Sequence, residues 1–360
     1  MRTTQLAGAT ILAIAISAGA SATVVSISGA ARVQIQEIKL GQTTSTVSDE
    51  EGFPGGETLP LQVFKFLDTP GDQSGQTGGA AAMAAQFADP LLQQPNPEEF
   101  AVNLSLNSVP ADLRYHGEAH LEENRQIVFN PGELFLRPAG SSASLVGRLF
   151  IDGALTVYAT KPDADLSSSG VTLRVTVDKL VSGKSDETVF SGDVRLTGLS
   201  GGNARVDVSG DFPAGSLILS DLSIFVSDFG VFRALILPNL QIDYSYPAII
   251  GEPFTLRASV DVIADSVGGE TGVAAVIGTP TDTIAQVIGA INGQSAATKF
   301  LDTLKQEREK PTGELVFPQP TPVGGLCGLF GFESLVGLGV LGFVKARKAT
   351  NTELRIANNE

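Results

Sequence analysis

The two histidines of the chain, His116 and His120, lie four residues apart with Glu118 between them. On a helix their imidazole rings would lie one turn apart on one face, a spacing that suits a transition metal. Apolar and polar residues instead alternate from Leu113 to Glu122, which predicts a strand with a polar outer face. On a strand the two histidine Cα atoms are about 13 Å apart, too far for one ion. We therefore expect no metal site. His116, Glu118 and His120 are the only candidate ligands, and the candidacy is weak.

Nucleophilic catalysis has no recognisable motif in this chain. A Ser-His-Asp triad would need one of the two histidines, and no serine lies in a Gly-x-Ser-x-Gly turn. Glu98 with Glu99, and Glu122 with Glu123, are neighbours in sequence, which we interpret as ordinary surface charge. The sequence predicts neither an enzyme nor a cofactor, and a secreted hydrolase is the least favoured alternative.

Carbohydrate binding is a second alternative. Sugar platforms generally need flat aromatic faces, and the chain has no Trp and 4 Tyr. Tyr244 and Tyr246 would share one strand face and could form a small platform. Packing at a strand end before Pro247 is the competing and preferred interpretation.

The charge of the chain limits its partners. There are 39 Asp and Glu residues against 24 Lys and Arg residues, a net charge of -15. Phosphate backbones and anionic lipid headgroups repel such a surface, so we expect no nucleic acid and no membrane contact through charge. A surface polysaccharide or a protein remains a possible partner. Cys327 is the only cysteine, so no disulfide can form within the chain.

The N-terminus has the three parts of a secretory signal peptide. Arg2 provides the positive charge, an apolar run follows from Leu6 to Ile16, and Ala20 and Ala22 form a small-x-small cleavage site. We expect residues 1–22 to engage the export machinery and to be removed. An uncleaved anchor is the alternative.

The body is expected to be all-β. Residues 23–99 contain a first strand, up to Leu40, and then a flexible segment rich in Gly, Pro and Gln, with a short helix at 80–87. Short alternating runs fill residues 100–280, and hairpin turns are predicted at 163–170, 183–186 and 200–203. This pattern predicts an antiparallel β-sandwich or jelly roll.

A short C-terminal helical segment is predicted at residues 281–310, with breaks at Gly293 and Pro311. Its second helix has one apolar stripe, which contains Ala297, Phe300, Leu301 and Leu304. We expect this stripe to pack on the sandwich, and a partner-binding helix is the alternative. A Pro-rich linker follows at 311–322.

The C-terminus contains a hydrophobic segment at 323–348 and a polar tail at 349–360. The apolar part could cross a hydrocarbon core of about 30 Å as an anchor helix. Glu333 makes it a marginal permanent anchor. Lys345, Arg347 and Lys348 follow it, and the positive-inside rule places the body outside the membrane.

The end of the chain resembles the PEP-CTERM class of C-terminal sorting signals of exported bacterial proteins. The resemblance is carried by Pro318 and Pro320, by the Gly- and Leu-rich apolar stretch and by the basic cluster that follows. Gln319 replaces the usual Glu, and Cys327 makes this a Cys-bearing variant. The resemblance implies a membrane sorting enzyme as a partner, and Cys327 is either modified during processing or packed in a membrane helix.

Taken with the body, these termini predict an exported structural or adhesive module of the cell surface, outer envelope or extracellular matrix. Attachment to the membrane is expected through the C-terminus, at least transiently. The fate of the tail and the identity of any ligand stay open.

Overall fold

The computed structural model describes residues 23–53, 61–69, 78–88, 95–131, 138–221, 230–278 and 321–322. The chain through Pro322 forms one compact unit, and Val323–Glu360 forms a second. The described part is all-β, with two antiparallel sheets and two single-turn 3-10 helices. The predicted signal peptide, helical segment, terminal anchor and polar tail lie outside the described residues.

The first sheet has seven strands. They are β1 (Thr23–Lys39), β2 (Gln42–Phe53), β6 (Leu113–Val128), β8 (Gly170–Leu180), β9 (Glu187–Gly198), β10 (Ala204–Gly210) and β13 (Phe254–Val267). Their order across the sheet is β10-β9-β8-β13-β6-β1-β2, and β13 and β6 therefore lie near its centre.

The second sheet has eight strands. They are β3 (Leu61–Thr69), β4 (Gly78–Ala88), β5 (Pro95–Ser108), β7 (Ser142–Ala159), β11 (Ile218–Asp221), β12 (Val231–Ile249), β14 (Thr271–Ile277) and β15 (Thr321–Pro322). Seven of them lie in the order β11-β12-β7-β14-β5-β4-β3, and the short β15 also pairs with β7.

One hydrophobic core lies between the two sheets. Successive side chains of a strand point to opposite sides of a sheet, so every second residue enters the core. Leu121 and Val260 enter it from the first sheet, and Leu104 and Leu155 enter it from the second. Each fully buried side chain of this kind contributes about 1.5–3 kcal/mol to stability.

Two of the three predicted hairpin turns are confirmed. Residues 183–186 lie between β8 and β9, and residues 200–203 lie between β9 and β10, both of which are antiparallel neighbours. The third prediction is wrong, because residues 163–170 lead from β7 to β8, which belong to different sheets. A polar turn signal marks the end of a strand but does not identify the sheet that the chain joins next.

The prediction for residues 23–99 is wrong beyond the first strand. Strands β2, β3, β4 and the beginning of β5 occupy much of the segment that we expected to be flexible. Residues 80–87 lie in β4 and not in a helix. Alanine favours helices in isolation, but here Ala80 to Ala85 are buried on both sides of a sheet, and tertiary packing overrides that preference.

Candidate functional site

The outward side of the seven-stranded sheet carries mostly polar side chains, and we call it the polar face. Burial alternates along β6, β8 and β13, which confirms the strand with a polar outer face that the sequence predicted around the histidines. On these three strands the polar face contains His116, Glu118, His120, Glu122, Thr172, Arg174, Thr176, Asp178, Arg257, Ser259, Asp261 and Asp265.

His116 is held between two carboxylates. Its Nδ1 lies 2.9 Å from Asp265 Oδ1 on the neighbouring strand, and its Nε2 lies 3.2 Å from Glu118 Oε1 on its own strand. The hydrogen bond with Asp265 is the largest cause that raises the pKa of His116, to about 9, and burial opposes it. The imidazole is therefore protonated near neutral pH, and both ring nitrogens act as donors.

His120 belongs to a row of polar and charged side chains that crosses the whole sheet. Its Nδ1 lies 2.6 Å from Asp261 Oδ1 on β13. From β10 to β2 the row contains Ser209, Asp193, Arg174, Asp261, His120, Arg32 and Glu50. The backbone register places Arg174 between Asp193 and Asp261, and it places Arg32 beside Glu50. Opposite charges in such neighbouring positions stabilise adjacent strands.

The geometry around the histidines does not fit a metal site. A metal needs a free nitrogen lone pair, whereas both nitrogens of His116 contact carboxylates. His120 lies four residues further along the same strand, about 13 Å away at the usual rise per residue. No group of three His, Cys, Asp or Glu side chains within the described ranges is arranged to hold a metal ion.

Further ion pairs hold two arginines of the polar face. Arg174 Nε lies 2.9 Å from Asp193 Oδ1, and Arg257 Nη2 lies 2.8 Å from Asp178 Oδ2. Thr188 also donates a hydrogen bond to Asp178, at 2.7 Å. Individual pairs at a surface contribute little to stability, about 0–1 kcal/mol each. Together they fix the directions in which the polar groups of this face point.

Glu123 corrects our interpretation of the Glu122–Glu123 pair as surface charge. Glu122 lies on the polar face, whereas Glu123 points into the core and its relative exposure is 0%. Glu123 Oε1 lies 2.6 Å from Arg125 Nε, and Gln86 of the other sheet donates a hydrogen bond to the second carboxylate oxygen. A polar cluster thus connects β6 and β4 through the core. The sequence contained its signal, since residues 123 and 125 continue the inward positions of β6.

Tyr244 and Tyr246 share one face of β12, as the sequence predicted, but that face is the core side. Their relative exposures are 5% and 1%, and their ring centroids are 6.1 Å apart. Burial raises the pKa of both phenols. Gly147 on β7 leaves room for the ring of Tyr244, since a Cβ at that position would lie 2.1 Å from it. These tyrosines therefore pack in the core between the two sheets, and their rings are not exposed as a platform for sugars would require.

A shallow depression of about 250 Å³ lies at one end of the sheets, next to Lys179, Lys184 and Phe254. Its lysines are engaged by neighbours. Lys179 Nζ lies 3.3 Å from Glu187 and 5.9 Å from the ring centroid of Phe254, and Lys184 Nζ lies 2.9 Å from Glu252. The lysine charges are neutralised in place, so the depression offers no concentrated positive charge to a ligand.

The residues that the sequence assigns to export and sorting are Ala20, Ala22, Pro318, Pro320, Cys327, Lys345, Arg347 and Lys348, and all lie outside the described residues. In the portions that the structure describes, no helix has the length and hydropathy to span a bilayer. The sorting interpretation thus rests on the sequence.

Comparisons with known proteins add little. No protein family model matches the chain, and no curated protein matches it. One solved structure, of the Gx strain of infectious bursal disease virus, is 12% identical, with a TM-score of 0.11, and the match covers 81% of this chain and 73% of that chain. A mutant VP2 protein of infectious bursal disease virus, in T=1 particles, is 11% identical, with a TM-score of 0.11, over 81% of this chain and 71% of that chain. Similarity at this level supports no conclusion about fold or function.

Proposed function

We propose that this protein is an exported structural or adhesive module of the bacterial cell surface or extracellular matrix, and that the polar face is its contact surface. In this proposal the body is a sandwich of two antiparallel sheets. Its strands are connected in a jelly-roll-like order. The polar face is the observation that carries the proposal. Several of its charged groups are paired across strands, such as Arg174 with Asp193 and Arg257 with Asp178, so it presents an ordered pattern of donors and acceptors.

Local charge balance makes this face suitable for contact with a matrix. The chain carries a net charge of -15, which repels acidic polysaccharides. On the polar face, however, Arg174 and Arg257 are paired with Asp193 and Asp178. Hydroxyl groups such as that of Ser259 lie between the ion pairs. A fixed mixture of hydroxyl, carboxylate and guanidinium groups suits hydrogen bonding to the hydroxyl groups of a polysaccharide.

The location can be tested by fractionating the producing cells. We expect the full-length protein in the envelope or matrix fraction, where protease added to intact cells should cleave it. A variant that lacks residues 1–22 should stay inside the cell, and one that lacks 323–360 should appear in the medium. Recovery of the full-length protein in the cytoplasm, protected from protease, would contradict the proposal.

The contact surface can be tested in the same cells with paired substitutions. Thr172→Lys with Thr176→Lys disturbs the polar face on β8, whereas Ser182→Lys with Ser185→Lys makes the same chemical change in the adjacent turn. Only the first pair should reduce retention in the matrix fraction, by about tenfold, which corresponds to about 1.4 kcal/mol. Equal retention of both variants, with unchanged melting temperatures, would exclude the polar face as the contact surface.

A further inference from the structure

The hydrophobic core between the two sheets ends at two borders, and charges close one of them. Among the described strands, β2 and β3 form this border. Asp49 on β2 and Lys65 on β3 lie in line with the core positions of their strands and form an ion pair, with Oδ2 and Nζ 3.0 Å apart. The backbone N–H of Gln62 also donates a hydrogen bond to Glu51, at 3.1 Å. Inward-pointing charges at the edge of a sheet hinder its pairing with another chain.

The border formed by β10 and β11 has a different composition. The inward positions of β10 are apolar, half-buried and packed against the core. They are Ala204, Val206 and Val208. On β11, Leu219 lies opposite the core residue Leu235 but is 47% exposed. Asp221, at the end of β11, forms an ion pair with Arg233 of its own sheet. The core is therefore partly exposed to solvent along β10 and the beginning of β11.

Strand β10 has the features of an edge that can accept another strand. It pairs with β9 over its 7 residues without a bulge, and it contains neither Pro nor Lys. No described strand pairs with its other side. In an antiparallel ladder alternate residues direct their backbone N–H and C=O groups to opposite sides, so about half of these groups on β10 point away from the sheet. Edge strands are commonly protected by Pro, Lys or a bulge, and β10 has none of these.

The chain leaves β10 without covering its free side. Gly210, with a φ of 66°, ends the strand in a conformation that favours glycine. The backbone N–H of Asp211 then donates a hydrogen bond to the carbonyl oxygen of Ser191 on β9, at 2.9 Å. Phe212 follows and is buried in the core against Gly192 of β9. The connection to β11 thus begins beneath β9 and away from the free side of β10.

The outward positions of β10 carry a pair of charges that is complementary to itself. The side chains of Arg205 and Asp207 are 62% and 50% exposed, and Arg205 Nε lies 2.9 Å from Asp207 Oδ2. When two copies of β10 pair antiparallel about a two-fold axis at Val206, Arg205 of each copy lies opposite Asp207 of the other. An axis at residue 205 or 207 would instead place two like charges opposite each other, which is destabilising. The charges therefore favour one register.

The same register brings apolar residues together on the inward side. Val206 lies opposite its equivalent, and Ala204 lies opposite Val208 of the other copy. The partner strand would cover these half-buried side chains, and burial of apolar surface contributes about 25 cal/mol per Å². The charges on one side of β10 and the apolar residues on the other thus fit the same partner.

We propose that β10 pairs with β10 of a second copy of this chain, antiparallel and about a two-fold axis at Val206. Such an interface is isologous, as in other homodimers with two-fold symmetry. It joins the two seven-stranded sheets into one continuous sheet and the two polar faces into one surface. A strand of 7 residues is about 24 Å long, so the contact is small and the dimer reversible. The inference concerns assembly alone and does not depend on the proposed function.

Analytical ultracentrifugation of the detergent-solubilised full-length protein tests the pairing of charges. Arg205→Asp and Asp207→Arg each place like charges opposite each other, so each variant should self-associate at least about tenfold more weakly than the parent. An equimolar mixture of the two variants restores opposite charges across the interface and should form a mixed dimer, with an affinity within about threefold of the parent's.

The matched control is Arg114→Asp, which makes the same change of charge on the outward side of β6, four strands away from β10. It should leave the dimer intact. A parent protein that stays monomeric at all concentrations, a mixture of the two variants that does not associate, or an equal effect of Arg114→Asp would overturn the proposal.

Disulfide cross-linking in the Cys327→Ser background tests the register, because Cys327 is the only native cysteine. The thiol of Val206→Cys would lie next to its equivalent, whereas those of Ala204→Cys and Val208→Cys would lie about 13 Å from theirs. Oxidation should therefore link Val206→Cys into a dimer at least about tenfold faster than either control. An equal or lower rate for Val206→Cys would exclude this register and with it the proposed interface.

Discussion

His116 and Asp265 face each other across β6 and β13, near the centre of the seven-stranded sheet, with Nδ1 and Oδ1 2.9 Å apart. They are 149 residues apart in the chain. The pair joins two strands that come from distant parts of the sequence. The charge of His116 therefore depends on whether those two strands are paired.

The stability of the protein should decrease as pH rises from about 6.5 to about 9, because the pKa of His116 is raised from 6.5 in the unfolded chain to about 9 in the folded protein. A raised pKa stabilises the fold fully below the unfolded value, and this stabilisation is lost as pH passes the folded value. After allowance for solvent screening we expect a loss of about 1–2 kcal/mol. Urea unfolding across this pH range measures it.

The control for this prediction is His116→Gln, which removes the titrating ring. The difference in free energy of unfolding between the parent and this variant should decline with rising pH. Asp265→Asn should reduce the slope, since the hydrogen bond to Asp265 is the largest cause of the raised pKa. A pH-independent difference between parent and His116→Gln would contradict the assignment.

Glu123→Ala should destabilise the protein by about 3–5 kcal/mol, because it removes a buried carboxylate that contacts Arg125 Nε and accepts a hydrogen bond from Gln86. Glu122→Ala is the matched control, since it removes the same side chain from the neighbouring residue on the polar face. We expect the control to change stability by about 0.5 kcal/mol or less. Replacing both buried partners, with Glu123→Leu and Arg125→Met, should recover most of the loss. Equal effects of the two alanine substitutions in urea unfolding would contradict a buried Glu123.

The contrast between β6 and β4 shows what the sequence could predict. One side of β6 faces the core and the other faces solvent, so its apolar and polar residues alternate and the strand was predicted correctly. Both sides of β4 are buried, so no alternation exists and its alanines indicated a helix. Pairings such as His116 with Asp265 depend on strand register, which a single sequence does not specify.

The cluster around Glu123 was missed for a different reason. Its inward position follows from the alternation of β6, but charged residues are almost never fully buried unless they are paired, so surface charge was the natural interpretation. One signal could have identified the cluster. Residues 123 and 125 carry opposite charges, and both are in line with the core positions of a strand. Gln86, which completes the cluster, comes from a segment that we expected to be flexible.

Leu40→Asn should stabilise the protein by about 0.5–1 kcal/mol. The turn between β1 and β2 has positive φ at both central residues, 50° at Leu40 and 76° at Gly41. This is the geometry of a type I′ turn, in which Asn followed by Gly is preferred and a Leu is strained. Leu40 is also 86% exposed, so its side chain contributes little packing. A lower melting temperature for Leu40→Asn than for the parent would contradict this description of the turn.

If the C-terminus is a sorting signal, Cys327 should affect how the protein is retained at the envelope. The apolar stretch that contains Cys327 also contains Glu333, so it is a marginal permanent anchor, and a processed or lipid-modified tail would not need a better one. We therefore expect Cys327→Ser to shift protein from the envelope fraction to other fractions, while Ser334→Ala in the same stretch should leave the distribution unchanged. Mass spectrometry of the C-terminal peptide from surface material provides the direct measurement. Recovery of an intact, unmodified tail ending at Glu360 would exclude processing and leave a simple membrane anchor.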